Sequence, residues 1–171
     1  MNFTAVVENT EPEEYVFRFY RANERPWGAF SNLYRRPIAF ENREFPTAEH
    51  AYQAGKPRTE AVREWMLNAP VKSFVSRVAH GLYTWETVPD WSKIKYDRMR
   101  AVLRAKFSQH HDLRELLLST GQARLEETPR TDSAVNREWG LVKGRGANML
   151  GQLLMELRNE LREEGRPSQT S

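Results

Sequence analysis

Three polar residues in the first third of the chain have the types and the spacing of a catalytic site. Glu49, Gln53 and Lys56 follow positions i, i+4 and i+7, so a helix through them places all three on one face. A carboxylate, an amide and an amine together can move protons and bind hydroxyl groups, as cleavage of a bond to a sugar requires. The same spacing also suits a first-turn glutamate that stabilises the helix and a solvated lysine beyond its end.

The local sequence predicts the helix that this site needs. Thr47 after Pro46 is a typical N-cap, and Gly55 with Pro57 stops the helix. Because a residue before proline avoids helical geometry, Lys56 lies at the frayed end, where it can lean over the same site.

A second candidate site lies in the segment 139–148. Gly144 and Gly146 precede a predicted long helix, and Lys143 and Arg145 lie beside them. Flexible backbone next to free helix amides favours a phosphate, although the spacing fits neither a Walker loop nor a dinucleotide fingerprint. A plain loop with a glycine-assisted helix start is the alternative.

Aromatic side chains in or beside loops either stack on a flat base or fill the core. These residues are Trp27, Phe30, Tyr34, Trp85, Trp91 and Trp139. Trp65 and Phe74 fall within helical patterns and are assigned to the core. The histidines have no metal-ligand spacing and cysteine is absent, so the sequence predicts no metal site, no disulfide and no cysteine nucleophile.

The composition is typical of a single globular domain. Of 171 residues, 39% are hydrophobic and 29% are charged. The absence of cysteine and of a signal-peptide pattern favours the cytoplasm, and no apolar run approaches the roughly 20 residues of a membrane span. The net charge of +3 permits a nucleic-acid partner, but a solvated surface is the simpler explanation.

The patterns predict an α+β domain over residues 15–165, with a loose leader at 1–14 and a disordered tail at 166–171. A strand at 16–20, a hairpin at 38–45 and a strand at 125–128 form a small sheet surrounded by about six helices. The first of those helices begins at Thr47. The other five span 60–68, 71–79, 91–110, 111–119 and 147–162. We expect Asp90 to cap the fourth of them, with Ile94 on its buried stripe, and expect 129–146 to form a loop.

Several motifs, in order along the chain, resemble the NADAR (YbiA-like) family. The resemblance runs from about Val16 to Leu161, and the set is specific although each motif alone is weak. The matching segments are 30–34, 45–56, 90–91, 118–121, 139–140 and 146–151.

The resemblance implies a single α+β domain and an N-glycosidase that uses no cofactor and no metal. It implies one of two substrate classes, namely guanine bearing ADP-ribose in nucleic acid, or the phosphoribosylamino-pyrimidine intermediates of riboflavin synthesis. The implied site residues are Glu49, Lys56, Trp91 and Trp139, supported by Asn32, Gln53 and Asn148. The candidate substrate-binding set also includes Tyr52, Gly144, Arg145 and Gly146.

The chain departs from the family at one position. The family usually has an acid about three residues before the Trp-Gly pair, where this chain has Asn136, and the nearest upstream acid is Asp132. Either an insertion has moved the acid to Asp132, or an amide has replaced it. Asp132 is therefore a third catalytic candidate, and Asn136 a candidate substrate-binding residue.

Both substrate classes join ribose C1 to an exocyclic amine, and such an aminal can open to an imine. Either a neutral Lys56 attacks the imine and forms a Schiff base, or water attacks with Glu49 as general base. The basic balance of the chain favours ADP-ribosyl-guanine in DNA as the substrate. The riboflavin intermediates, a non-catalytic reader of ADP-ribose or NAD, and a plain nucleic-acid-binding domain are the alternatives. The preferred strandedness of the nucleic acid and the oligomeric state are left open.

Overall fold

In a computed structural model of the protein, residues 15–68 and 75–166 are described. The predicted leader, the first residues of the predicted helix at 71–79, Phe74 and positions 167–171 of the predicted tail lie outside these ranges. The described strands are β1 Val16–Phe19, β2 Ile38–Phe40, β3 Arg43–Phe45 and β4 Arg124–Glu127. The described helices are α1 Ala48–Gln53, α2 Glu60–Leu67, α3 Val75–His80, α4 Trp91–Gln109, α5 His111–Ser119, α6 Ala134–Trp139 and α7 Met149–Glu164. The predicted α+β class is confirmed.

The described strands form two separate two-stranded sheets, whereas the sequence predicted one. β2 and β3 form an antiparallel hairpin, and its turn residues Glu41 and Asn42 have φ values of 50° and 60°, as a tight right-twisted hairpin turn requires. β1 and β4 pair in parallel, with Phe19 opposite Glu127. Parallel strands need a long crossover, and this one contains α1 to α5, so the pairing is not visible in local sequence patterns.

The main core lies between the β1–β4 pair and the helices α4, α5 and α7. The apolar stripe of α7 is buried as predicted, through Leu150, Leu153, Leu154, Leu157 and Leu161, and each such leucine contributes about 1.5–3 kcal/mol. On α4 the stripe starts later than expected, because Ile94 is 43% exposed whereas Met99 is buried. None of the helices within 15–68 and 75–166 is both long and apolar enough to cross a bilayer.

The segment 129–146, predicted to be a loop, contains the short helix α6. Ser133 begins this helix, since its hydroxyl accepts a hydrogen bond from the Asn136 amide at 3.1 Å. A helix of six residues is too short to show an apolar period, and its polar sequence therefore resembled a loop.

Two other local predictions need correction. Asp90 is the N-cap residue of α4 as predicted, but its φ is left-handed at 59° and its side chain makes no capping bond. Its carboxylate instead pairs with Lys93 at 2.8 Å. Trp65, assigned to the core, is 64% exposed on α2, because helical spacing does not reveal which face of a helix meets the core.

Candidate active site

A cavity of about 820 Å³ lies between α1, α4, α6 and the end of β4. Its size is that of a site for a nucleotide-sized ligand. The lining includes eight of the residues singled out from the sequence, namely Asn32, Glu49, Tyr52, Gln53, Lys56, Trp91, Asn136 and Trp139. The structure therefore brings together residues that are distant in the chain.

Two hydrogen bonds from backbone amides fix the first turn of α1. The Thr47 hydroxyl accepts a hydrogen bond from the His50 amide at 3.3 Å, which is the predicted N-cap. The carbonyl of Asn32 accepts a hydrogen bond from the Glu49 amide at 2.9 Å. Because these bonds use only backbone groups of Glu49 and His50 on the helix, the carboxylate of Glu49 stays available to the cavity.

The other end of α1 is closed by an arginine from α4. The Arg98 guanidinium donates hydrogen bonds to the carbonyls of Ala51, at 2.6 Å, and Tyr52, at 3.0 Å. Gly55 lets the guanidinium approach, since a Cβ at that position would lie 2.1 Å from the Arg98 Nε. The glycine that stops the helix thus also leaves room for its C-terminal cap.

Glu49 and Gln53 interact on the face of α1 that lines the cavity. Gln53 Nε2 donates a hydrogen bond to Glu49 Oε1 at 2.9 Å. Burial raises the pKa of Glu49, and the hydrogen bond from Gln53 acts in the opposite direction. A carboxyl group with a raised pKa is suited to proton transfer near neutral pH.

Lys56 follows the end of α1 and reaches the same cavity. Its Nζ donates a hydrogen bond to the Ala79 carbonyl at 2.5 Å. Burial, and secondarily the charge of Lys95, lower the pKa of Lys56. His80 also lines the cavity, and burial together with the Lys56 charge lowers the pKa of His80. A lowered pKa increases the neutral fraction of the amine, which is its nucleophilic form.

Glu127, which the sequence analysis did not select, also lines the cavity. It ends β4, where its amide donates to Asn148 Oδ1 at 3.1 Å and its carbonyl accepts from the Leu141 amide at 2.7 Å. Burial, and then the charge of Glu49, raise the pKa of Glu127 to about 7. Three carboxyl groups therefore line the cavity, those of Glu49, Glu127 and Glu138, and the charge of Glu49 acts on the ionisation of Glu127.

Aromatic rings form one wall of the cavity. The Tyr52 ring lies 5.3 Å from Trp91 and 5.5 Å from Trp139, centre to centre. Tyr96 contacts Trp139 on its other side, at 5.6 Å, and its hydroxyl donates to Glu138, which raises the pKa of Tyr96 to about 12. The ring planes are inclined by 44° to 74°, so the rings pack as a tilted cluster that gives the cavity an apolar wall.

Asn32 contributes an unpaired polar atom to the lining. Its Nδ2 lies 3.4 Å from the Met99 sulfur, and its Oδ1 is buried with no hydrogen-bond partner among the described residues. A buried acceptor without a donor is costly, and a ligand hydroxyl or amino group in the cavity can supply that donor.

Comparison with known proteins identifies the family. The NADAR domain matches residues 18–162. The chain belongs to the NADAR family. The N-glycosidase YbiA of Shigella flexneri serotype 5b is 37% identical over 150 residues, which cover 87% of this chain and 90% of that protein. A riboflavin biosynthesis protein of Vibrio vulnificus is 34% identical over 88% of this chain and 40% of its own length.

The fold agrees with a solved NADAR-type structure. The NMR structure of Escherichia coli YbiA matches with a TM-score of 0.77 and 34% identity, over 92% of each chain. The predicted resemblance is therefore confirmed for the family and for the fold.

The sequence left open whether Asp132 or Asn136 occupies the acidic position of the NADAR family, and the structure places the two residues differently. Asn136 lines the cavity, and its Nδ2 donates to the Thr131 carbonyl at 2.7 Å. Asp132 is not in the lining; both of its carboxylate oxygens pair with Arg137, at 2.6 and 2.7 Å. This hydrogen bonding lowers the pKa of Asp132, so the group is a poor proton donor at neutral pH.

The glycine segment of this NADAR domain, residues 140–148, does not line the cavity, and its residues 143–147 are exposed. Gly144 and Arg145 belong to a tight turn closed by hydrogen bonds between Val142 and Arg145. Gly146 lies beneath the Gly140 carbonyl, and a Cβ would stand 2.2 Å from that oxygen.

Asn148 begins α7 with its side chain turned to β4. Its Nδ2 donates to the Leu125 carbonyl at 2.9 Å, and its Oδ1 accepts from the Glu127 amide. The phosphate site predicted at this segment stays a prediction. Among the described residues, no group of three or more His, Asp or Glu is placed to hold a metal ion.

Proposed function

We propose that the protein is an N-glycosidase that hydrolyses the bond between ribose C1 and an exocyclic amine of a base. One observation carries the proposal: two interacting carboxyl groups, Glu49 and Glu127, share a cavity with the amine of Lys56. Cleavage of a glycosidic bond needs an acid for the leaving group and a base for the attacking group. The relatives named N-glycosidase support the same class of reaction.

The two carboxyl groups take different roles because their surroundings differ. Burial raises the pKa of Glu49, but its place in the first turn of α1 and the hydrogen bond from Gln53 both oppose that rise by stabilising the ionised form. Burial, and then the negative charge of Glu49, favour the protonated form of Glu127. Glu127 is therefore the proton donor, and Glu49 is the proton acceptor.

The reaction begins when the ribose ring opens. The C1–O4′ bond breaks, O4′ takes a proton from Glu127, and C1 forms an iminium with the base nitrogen, which keeps its own proton. Neutral Lys56 then attacks C1. Glu49 takes the proton that Lys56 loses, a proton returns to the base nitrogen, and the base leaves as its free amine. Water hydrolyses the resulting protonated Schiff base, the aldehyde closes to ribose, and the proton left on the Lys56 amine returns to Glu127, which regenerates both groups. Net consumption is one water per bond cleaved.

The preferred substrate is guanine carrying ADP-ribose in nucleic acid. The exposed Arg21 and Arg130 line the cavity, where guanidinium groups suit the phosphates of ADP-ribose. Trp91 and Trp139 provide apolar faces for the base or the ribose. The second candidate is a phosphoribosylamino-pyrimidine of riboflavin synthesis, which the name of the Vibrio vulnificus relative favours. Both substrates contain the same type of bond and a phosphate.

The deciding experiment compares the two substrates directly. The protein is incubated with an oligonucleotide carrying ADP-ribosyl-guanine and, separately, with the phosphoribosylamino-pyrimidine, and products are separated by chromatography. Release of ADP-ribose from the first at a rate at least ten times that of the second is the expected result. Turnover of neither, with tight binding of ADP-ribose, would instead identify a non-catalytic reader.

Lys56 is tested by chemical trapping. Borohydride added during turnover reduces a Schiff base, so mass spectrometry should find the ribosyl fragment attached to the peptide containing Lys56. Lys56→Arg is the matched control, because it retains the charge and cannot form the adduct. Full activity of Lys56→Ala would exclude the covalent route and leave direct attack by water.

A further inference from the structure

Two large aromatic side chains are exposed on the loop between α3 and α4. The rings of Tyr83 and Trp85 stack with centres 4.5 Å apart and planes 8° from parallel. Tyr83 is 62% exposed and Trp85 is 69% exposed. Because side chains so exposed contribute little to the core, the fold itself does not explain this pair. We define Tyr83 and Trp85 as the aromatic platform.

The backbone beneath the aromatic platform is held in place by its own side chains. The Glu86 carboxylate accepts a hydrogen bond from the Tyr83 amide at 2.9 Å, and the Thr87 hydroxyl donates to the Tyr83 carbonyl at 3.2 Å. The Glu86 amide also donates to that carbonyl, at 3.0 Å. A ligand that stacks on the platform therefore orders few additional groups, which favours affinity.

The aromatic platform adjoins the end of the cavity that contains Lys56. The Val88 amide donates to the Lys56 carbonyl at 2.9 Å, and the Arg58 amide donates to the Glu86 carbonyl at 2.6 Å. His80, which precedes the platform in the chain, lines the cavity. Arg58 is exposed on the adjoining segment and brings a positive charge to that segment.

We propose that the aromatic platform binds an unpaired nucleobase next to the nucleotide whose sugar bond is cleaved, so that the substrate is a single-stranded nucleic acid. This inference rests on the proposed N-glycosidase activity at the cavity. A nucleobase has the flat π face that stacks on Tyr83 or Trp85, and such stacking tolerates any sequence. The phosphate that joins the two nucleotides passes the positive charge of Arg58. In a duplex the neighbouring base is already stacked and paired, and so is not free to bind.

The first test measures binding of unmodified oligonucleotides, and so does not depend on catalysis. Fluorescence anisotropy compares a labelled single-stranded DNA with the same sequence as a duplex. We expect the single strand to bind more tightly, and Trp85→Ala and Tyr83→Ala each to weaken it about 5- to 100-fold, the usual effect of losing one stacked base. Trp65→Ala is the matched control, since Trp65 is equally exposed, at 64%, and lies outside the cavity lining.

The second test uses the ratio of kcat/KM for an ADP-ribosyl-guanine oligonucleotide to that for ADP-ribosyl-guanosine. Trp85→Ala is expected to lower this ratio about 5- to 100-fold, with no change in melting temperature, whereas Trp65→Ala keeps the wild-type ratio. Equal losses on both substrates, equal losses in Trp65→Ala, or duplex binding as tight as single-strand binding would overturn the platform. If the wild-type protein turned over neither substrate while its binding still depended on the platform, the proposed function would be rejected and the platform would stand.

Discussion

Two regions of the molecule look alike in sequence and are used differently in the fold. Both α1 and the glycine segment 140–148 combine polar residues with the start of a helix. In α1 the side chains of Glu49 and Gln53 line the cavity. In the glycine segment the corresponding polar side chain, Asn148, bonds to the backbone of β4. In this protein, the polar side chains at the start of α1 line the cavity, whereas the one at the start of α7 is used to hold β4.

The two regions cooperate at the cavity. The backbone of α1 is held by contacts from outside the helix, notably Arg98, so its own side chains are free to act. Asn148 provides the equivalent support for Glu127, because it binds the amide of that residue. We infer that α1 supplies one carboxyl group of the pair and that the glycine segment positions the other.

The largest expected effect is on the α1 side of this comparison. Glu49→Gln keeps the size and polarity of the side chain but removes its proton-accepting group, so kcat should fall about 100- to 10,000-fold. Steady-state kinetics on the ADP-ribosyl oligonucleotide measures the change. Glu44→Gln on β3 is the control, because Glu44 is exposed. Retention of more than about a tenth of the wild-type rate would remove Glu49 from catalysis.

The role of Glu127 is tested by the dependence of kcat/KM on pH, which reports the groups of the free protein. The raised pKa of about 7 means that Glu127 holds its proton below neutral pH and loses it above. If Glu127 is the proton donor, kcat/KM should fall as pH rises through about 7. In Glu127→Gln the remaining rate should be lower and should lack this decline. A decline that persists unchanged in the variant would assign it to another group.

The glycine segment should respond in stability rather than chemistry. Gly146 has a φ of 148°, and an added Cβ would overlap the Gly140 carbonyl, whereas Gly144 has a φ of 78° and open space around it. Gly146→Ala should therefore lower the free energy of unfolding by about 3 kcal/mol or more, and Gly144→Ala by only about 1–2 kcal/mol. Urea denaturation measures both. Equal costs would mean that the segment is not packed as described.

Local signals were enough to predict α1 but not the carboxyl group opposite it. Thr47, Gly55 and Pro57 mark the ends of α1 within a few residues of sequence. Glu127 follows Glu126 in a charged strand that resembles a solvated edge. It lines the cavity because β4 pairs with β1, more than 100 residues earlier in the chain, and no local pattern encodes a contact of that range.

The family resemblance predicted the identity of several cavity residues, but it did not distinguish binding from support. Asn148 and Trp139 were both candidates, and only Trp139 lines the cavity. The difference depends on the left-handed backbone of Asn148, whose φ is 52°, and on the neighbouring strand that its amide contacts. The predicted burial of Trp65 was wrong for a related reason, since tertiary packing determines which face of α2 is buried.

The smallest expected effect concerns where the substrate phosphates bind. Arg130 lines the cavity, whereas Arg145 belongs to the exposed turn of the glycine segment. Both side chains are exposed, so neither Arg130→Ala nor Arg145→Ala should change the free energy of unfolding by more than about 0.5 kcal/mol.

Their effects on KM should nevertheless differ. Loss of one solvated charge contact weakens binding by up to about 1 kcal/mol, so Arg130→Ala should raise KM for the ADP-ribosyl substrate by about 3- to 5-fold. Arg145→Ala should leave KM within about two-fold of the wild-type value, because Arg145 is not among the residues that line the cavity. The reverse order of effects would move the phosphate site back to the glycine segment. The two regions would then be two parts of one longer site, in which α1 would supply the catalytic groups and the glycine segment would bind the substrate phosphates.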